Sequence, residues 1–296
     1  MSATHIADIF FDGKREYAKK RLQQLKAGEY IGERRRRVSE PSVLFLAAEG
    51  FRCLKGEGVL AEYPDFTQPA LVRRTQVSDI TLTHELSVMD VKAAFHRAIR
   101  DTPKLSIAEF STWPKQNEFL ACGTDGAEVL VRPDGFVRLH EKESDGTSEH
   151  TFFVEVDRST ETLDRLAGRA RCYLHYYQSG GFAERNGATR SEFKEYPFRV
   201  LMVFKSAERR NNMAEQLLSN RAPILTQVYL STLDEVKIQP LDSIWIRPID
   251  YRDALSGTRF SISNEQTFGR GYRRNSDREL FVEQVVKTTR LLDDAV

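Results

Sequence analysis

The sequence predicts an α/β protein: a mixed sheet flanked by helices, preceded by a partial winged helix-turn-helix. Three observations lead there. Between residues 117 and 157, four short segments rich in Val, Leu and Phe read as strands. After Asp157, amphipathic helical patterns alternate with apolar runs. Residues 14–51 give the order basic helix, hairpin, helix.

Taken along the chain, Lys14 to Leu25 has a stripe of Ala18, Leu22 and Leu25 at helical spacing, and Gly28 ends it. Tyr30-Ile31-Gly32 and Arg34–Val38 read as short strands, with Ser39-Glu40-Pro41-Ser42 as the turn after them. Val43–Leu46 follows as a strand, and Ala47–Phe51 opens a helix. In a winged helix-turn-helix the first of these helices would be the recognition helix. It would present Lys14, Arg15, Lys19, Lys20 and Arg21 to duplex DNA, with Arg34, Arg35, Arg36 and Arg37 on the wing. The plainer alternative is a solvated basic helix beside a charged hairpin. Only about a dozen residues precede Lys14, too few for the helices that normally come first. This suggests a truncated start, or a part borrowed from a partner.

Residues 59–80, with Pro64 and Pro69, read as a linker after a first region of 1–58. A second domain is expected over 81–255. Thr83 would cap a helix to about Arg100. Asn117–Cys122, Glu128–Arg132, Phe136–Glu141 and Thr151–Asp157 are the strands, and Asp145-Gly146 marks a hairpin between the last two. Thr160–Gln178 is amphipathic and stops at Gly180-Gly181. Phe198–Phe204 fits a buried strand, Ser206 caps a helix to about Ser219, and Ile224–Leu230 makes a last strand. The polar tail, 256–296, holds Gly269-Arg270-Gly271-Tyr272-Arg273-Arg274 and a helix from Asp277 to Leu292.

Composition narrows the function. The chain has 296 residues, 40% hydrophobic and 29% charged, with a formal charge of only +1. Residues 1–75 nevertheless carry an excess of Lys and Arg, a net +4. Three scattered cysteines, Cys53, Cys122 and Cys172, form no CxxC pair, which argues against structural zinc and for a reducing compartment. Neither an apolar signal core nor a run of about 20 apolar residues is present, so a cytoplasmic protein without membrane association is expected. A phosphate-binding GxxxxGK[ST] loop is missing too.

The chemistry-bearing stretch is Pro133-Asp134 followed by Phe152-Phe153-Val154-Glu155-Val156-Asp157. Strand side chains alternate, so Glu155 and Asp157 share a face, and Asp134 on a neighbouring strand can join them. Three carboxylates so placed suit Mg²⁺ and metal-assisted phosphodiester cleavage. An exposed turn acid and a polar strand end are the alternative. Arg158 and Arg165 can hold phosphate near the acids, or pair with Glu161 and Asp164. Glu85 is a further metal ligand or a first-turn acid favoured by the helix dipole. Tyr173 can hydrogen-bond a carboxylate from the following helix, His84 reads as structural, and Trp113 as a core anchor.

Several of these motifs together resemble a known family. The carriers are His84-Glu85-Leu86, Trp113, Pro133-Asp134, Phe153 to Glu161, and Tyr173. Phe198-Arg199-Val200-Leu201, Arg209-Arg210, Thr232-Leu233-Asp234-Glu235 and Ile244-Trp245 continue the series. Over roughly residues 14–250 the chain resembles the replication-relaxation family of bacterial plasmids and integrative elements, with a second domain like the PD-(D/E)XK nucleases. The resemblance implies a DNA-binding accessory protein of replication, relaxation or mobilisation, with replication or mobilisation proteins as partners. It implies Mg²⁺ on Asp134, Glu155 and Glu85, a catalytic set of Asp134, Glu155, Asp157 and Arg169, and support from Thr160, Glu161 and Tyr173. In active relatives the strand motif ends in Lys; here Asp157 stands there, and Arg169 occupies the alternative place on the next helix. Arg stays protonated and cannot act as a general base, though it can stabilise phosphoryl charge. The resemblance therefore implies a degenerate site kept for binding, with an active Mg²⁺-dependent endonuclease and a purely structural interaction protein as alternatives.

Overall fold

The computed structural model describes residues 1–34, 42–115, 117–123, 126–254 and 288–292. The chain divides into two compact units, Met1–Ser106 with Trp113–Lys115, and Ile107–Thr112 with Gln116–Val296.

In the first unit, helix α1 spans Ala3–Phe10 and helix α2 Arg15–Ala27. Ser2 starts α1 by accepting the His5 backbone N–H, and the His5 ring returns a bond to the Ser2 backbone. The four residues between the helices include Asp12 and Gly13 at φ of 53° and 76°, left-handed values that glycine adopts at least cost. A helix thus stands where the sequence suggested a missing one. Its eight residues are too short a run for helical periodicity to stand out. Strands β1, Ile31–Glu33, and β2, Leu44–Leu46, pair antiparallel, and a single bridge joins Ser2 to Val43. The expected strand over Arg34–Val38 begins with Arg34 outside β1, and the rest of it, with the turn at 39–41, lies outside the described residues.

Helix α3, Ala48–Gly56, follows the hairpin. The stretch read as a linker holds a short 3-10 turn at Val59–Glu62 and helix α4, Gln68–Thr75, capped by Thr67 with Pro69 in its first turn. Helix α5 runs Asp79–Arg100. It is capped by Ser78 rather than Thr83, whose hydroxyl instead donates to the Asp79 carbonyl inside the helix. α5 packs along α1 and belongs to the first unit. Two polar contacts fix that pairing: His5 Nε2 lies 2.8 Å from Asp90 Oδ1, and Arg97 donates to Asp8 at 2.8 Å. Because the Ser2 N–H donates to His5 Nδ1, the proton of a neutral His5 sits on Nε2, facing the Asp90 carboxylate.

The second unit is built on a five-stranded sheet. Its strands are β3, Leu105–Ser111; β6, Gly135–Lys142; β7, Thr147–Asp157; β8, Arg199–Phe204; and β9, Val228–Thr232, in the order β3-β6-β7-β8-β9. β3 has no counterpart in the sequence reading. β4, Phe119–Cys122, and β5, Glu128–Val131, form a separate antiparallel pair. β6 and β7 make the predicted hairpin; β7, β8 and β9 run parallel. Helix α6, Leu163–Gln178, is capped by Thr162, a turn later than expected, and α7, Gly181–Arg185, follows at once. Helix α8, Ala207–Leu218, starts at its predicted cap Ser206, and α9, Leu233–Ile238, closes against β9. Of the expected tail helix, residues 288–292 instead form a bridge from Thr289 to Trp245 and a turn, and the rest, with the Gly-Arg run, lies outside the described residues.

The core shows which sheet face carries chemistry. Phe153, Val200, Met202, Phe204, Val228 and Leu230 point into one cluster with Leu166, Ala170 and Tyr173 of α6 and Met213 and Leu217 of α8. By strand alternation Glu155 and Asp157 share the face of Phe153. Phe153 anchors this cluster, with ring centroids 4.9 Å from Phe198, 5.1 Å from Phe136 and 5.2 Å from Tyr173. Phe153→Ala is expected to cost about 3–5 kcal/mol, read as a lower urea midpoint for the second unit.

Candidate functional site

Two groups of residues carry chemistry, one in each unit. In the first unit, Ala18 and Leu22 turn one side of α2 inward. Lys14, Arg15, Lys19, Lys20 and Arg21 are all exposed. Lys14 lies 3.7 Å from the exposed Asp12, and Arg21 donates to Gln24 at 3.2 Å. Two helices joined by a four-residue turn with glycine, followed by a hairpin, make a helix-turn-helix with a wing. Arg34, expected on the same basic surface, is partly exposed and ion-paired. It donates to the Val77 carbonyl and to Asp79, both at 2.9 Å, because the start of α5 presents an acceptor and an acid there. Arg35, Arg36 and Arg37 lie outside the described residues.

In the second unit the acids gather at the carboxyl end of β7. β6 runs antiparallel to β7, so Asp134, one residue before β6, arrives beside that end. Its carboxylate accepts the Val156 backbone N–H at 2.8 Å. Glu155 is 3% exposed and accepts from Arg169 at 2.8 Å through one oxygen and from the Tyr173 hydroxyl at 2.5 Å through the other. Arg169 and Tyr173 sit one turn apart on α6, so a single helix supplies both donors. Arg169 also donates to Glu161 at 3.0 Å, and Glu161 lies 3.7 Å from Arg165. Thr160 is exposed just before the helix.

Asp157 meets a different helix. Arg209 of α8 grips it through Nε and Nη2 and also donates to the Glu161 carbonyl, while the Ser159 N–H donates to Asp157 at 3.1 Å. Arg209 was not among the site residues read from the sequence, because nothing local links positions 157 and 209. A neighbouring ion pair, from the buried Arg210 to Glu235 at 3.1 Å, ties α8 to α9.

Burial pushes the Glu155 carboxyl up to about 7; the Arg169 charge opposes this, Asp134 adds to it, and the hydrogen bonds from Tyr173 and Arg169 pull it down. Arg169 is likewise held more firmly in its protonated form, chiefly by Glu155. The dominant causes differ. Glu155 is almost wholly out of water, so desolvation wins there; Arg169 keeps partial access to solvent, so attraction wins. Burial also holds Tyr173 well above its ordinary range, keeping the phenol a donor.

This donor set does not fit Mg²⁺. A hard cation takes carboxylate oxygens free of competing cations. Both oxygens of Glu155 and both of Asp157 already face donors, and two guanidinium groups would repel a divalent ion. Among the described residues, no group of three or more His, Cys, Asp or Glu side chains is arranged to hold a metal. Glu85, expected as a further ligand, belongs to the first unit and is ion-paired with Arg74. Trp113 packs edge-on against Phe66 at 5.2 Å with the Arg74 guanidinium 4.3 Å from its ring, an internal anchor of that unit.

A family model described as replication-relaxation matches residues 1–191, which include α2, Asp134, Glu155, Asp157, Arg169 and Tyr173. Comparison with curated proteins finds no match, and comparison with solved structures finds none either. Among the described residues, no helix is long and apolar enough to cross a membrane.

Two outcomes follow from the acid cluster. Glu155 titrates at about 7 in the fold against an ordinary 4.5, so between those values the folded state holds the extra proton. Its contribution to stability is full below 4.5 and is lost as pH rises through 7. Glu155→Gln keeps the protonated shape throughout. Urea melts should therefore show wild-type stability falling relative to this variant, by at most about 1.4 kcal/mol per pH unit across that window. Arg209→Ala leaves Asp157 buried without its cation and is expected to cost about 3–5 kcal/mol at pH 7, measured in the same way.

Proposed function

Since the chain belongs to the replication-relaxation family, we propose that it serves the replication or mobilisation of a plasmid or integrative element as a DNA-binding accessory protein. Its first unit grips duplex DNA through α2, and its nuclease-like second unit acts as a binding module. The family supports the replication and mobilisation theme. The observation that carries DNA binding is the turn at Asp12-Gly13, which joins α1 to a helix around which Lys14, Arg15, Lys19, Lys20 and Arg21 are all exposed. A helix so mounted fits the major groove, and its cations fit the phosphates on either side.

The reading of the second unit follows from Arg169 and Arg209. They neutralise the acids that metal-assisted hydrolysis would need, and neither can take a proton from water. This favours a retained nuclease-like fold over a working endonuclease.

The purified full chain should shift duplex DNA with an affinity that falls steeply with salt. Arg15, Lys19 and Arg21 changed together to Ala should weaken binding and flatten the log–log salt slope by about 0.9 for each phosphate no longer neutralised. Supercoiled plasmid incubated with the protein in Mg²⁺ or Mn²⁺ should stay intact. Metal-dependent nicking that vanishes in Glu155→Ala would instead identify an active nuclease.

A further inference from the structure

We propose that Glu16, Lys20 and Gln23 are the base-reading residues of α2, whereas Arg15, Lys19 and Arg21 hold phosphates. This assignment rests on the DNA-binding reading above and deepens it. It starts from the geometry of the helix. At 100° per residue, the direction opposite the buried Ala18 and Leu22 runs through Lys20, with Glu16 and Gln23 within about 60° of it. Lys19 and Arg21 lie about 100° from that direction, on opposite flanks, and Arg15 further round beside Lys19. The centre of the outer face thus offers an acid, an amine and an amide, with guanidinium and ammonium groups along its edges. The major groove has the same layout, base edges in the middle and a phosphate strand on each side.

Glu16 is the decisive residue. A carboxylate at the middle of a DNA-facing surface repels every phosphate and weakens sequence-independent binding. Its favourable partner in the groove is the amino group of cytosine, a donor. Lys20 matches the O6 and N7 acceptors of guanine, and the Gln23 amide matches the paired acceptor and donor of adenine. All three side chains are exposed, and among the described residues none is engaged in a hydrogen bond or ion pair. Tyr17 and Gln24 lie on the same side but are engaged, Tyr17 edge-on against Phe11 and Gln24 by Arg21. From Glu16 to Gln23 the helix rises about 10 Å, which spans about three base pairs at 3.4 Å each. The ligand is therefore duplex DNA carrying a short core with cytosine, guanine and adenine contacts, flanked by sequence-neutral phosphate contacts.

The test is selection of bound duplexes from a random pool by the full-length protein, repeated with Glu16→Gln, Gln23→Ala and Lys19→Ala. The wild type should enrich a core of about three base pairs for each copy of α2 bound. Glu16→Gln should relax the preference at one cytosine position by about tenfold, and Gln23→Ala that at one adenine position. Neither should reduce the salt slope, and Glu16→Gln should bind random duplex at least as tightly as the wild type. Lys19→Ala should weaken all sequences alike and lower the slope by about one. Salt-dependent binding with no enriched core, or an unchanged core in both Glu16→Gln and Gln23→Ala, would overturn this assignment and leave DNA binding standing. A chain that binds no duplex at all would overturn the DNA-binding reading, and this assignment with it.

Discussion

The second unit depends on a carboxylate that has been taken out of water in the middle of a sheet. Glu155 lies on the central strand with its side chain in the helix-facing core, where an unmatched charge would cost several kcal/mol. Arg169 and Tyr173 answer that cost from one face of α6, so the register of α6 against β7 is set by two donors one turn apart. Two residues further on, Asp157 does the same for α8 through Arg209. The two pairs share Glu161, whose carboxylate receives Arg169 and whose carbonyl receives Arg209. The carboxyl end of β7 is consequently the point at which two helices are located, and the aromatic packing around Phe153 fills the space below it.

This arrangement also separates where the carboxylates stand from what they can do. The positions of Asp134, Glu155 and the strand-end residue follow from the hairpin register and from strand alternation, and those are properties of the backbone. What the carboxylates can do depends on the cations beside them. A lysine at the strand end would add a titratable amine; an aspartate there adds a second buried acid and calls for a second arginine. The backbone fixes the positions, while the carboxylate lone pairs face two guanidinium groups and the Tyr173 hydroxyl.

The first unit solves a different problem. Helices as short as α1 are marginal alone and need tertiary packing. α5 supplies it, with the buried His5 and Asp8 meeting Asp90 and Arg97 along its length. α2 is therefore mounted on a helix pair whose members are distant in sequence. Arg34 serves the same unit by holding the start of α5 to the end of β1.

What the sequence determined by itself was periodic or locally capped. The stripe of α2, the Asp145-Gly146 hairpin, the Ser206 cap, the apolar run of β8 and the shared face of Glu155 and Asp157 all follow from neighbours within a few residues, and each stands in the structure. The helices α1 and α4 are only eight residues long, too short for a clear helical period, and β3 buries only part of its surface. The family resemblance was legible for a similar reason, since its motifs lie in short contiguous blocks. Tertiary structure alone decided which charges meet. Arg34 and Asp79, Glu155 and Arg169, and Asp157 and Arg209 each stand on different elements of the chain, and Coulomb attraction and desolvation depend on distance in space, not on distance along the sequence. Sequence could place the acids together; only the packing of α6 and α8 could show that Glu155 and Asp157 had each already found a cation.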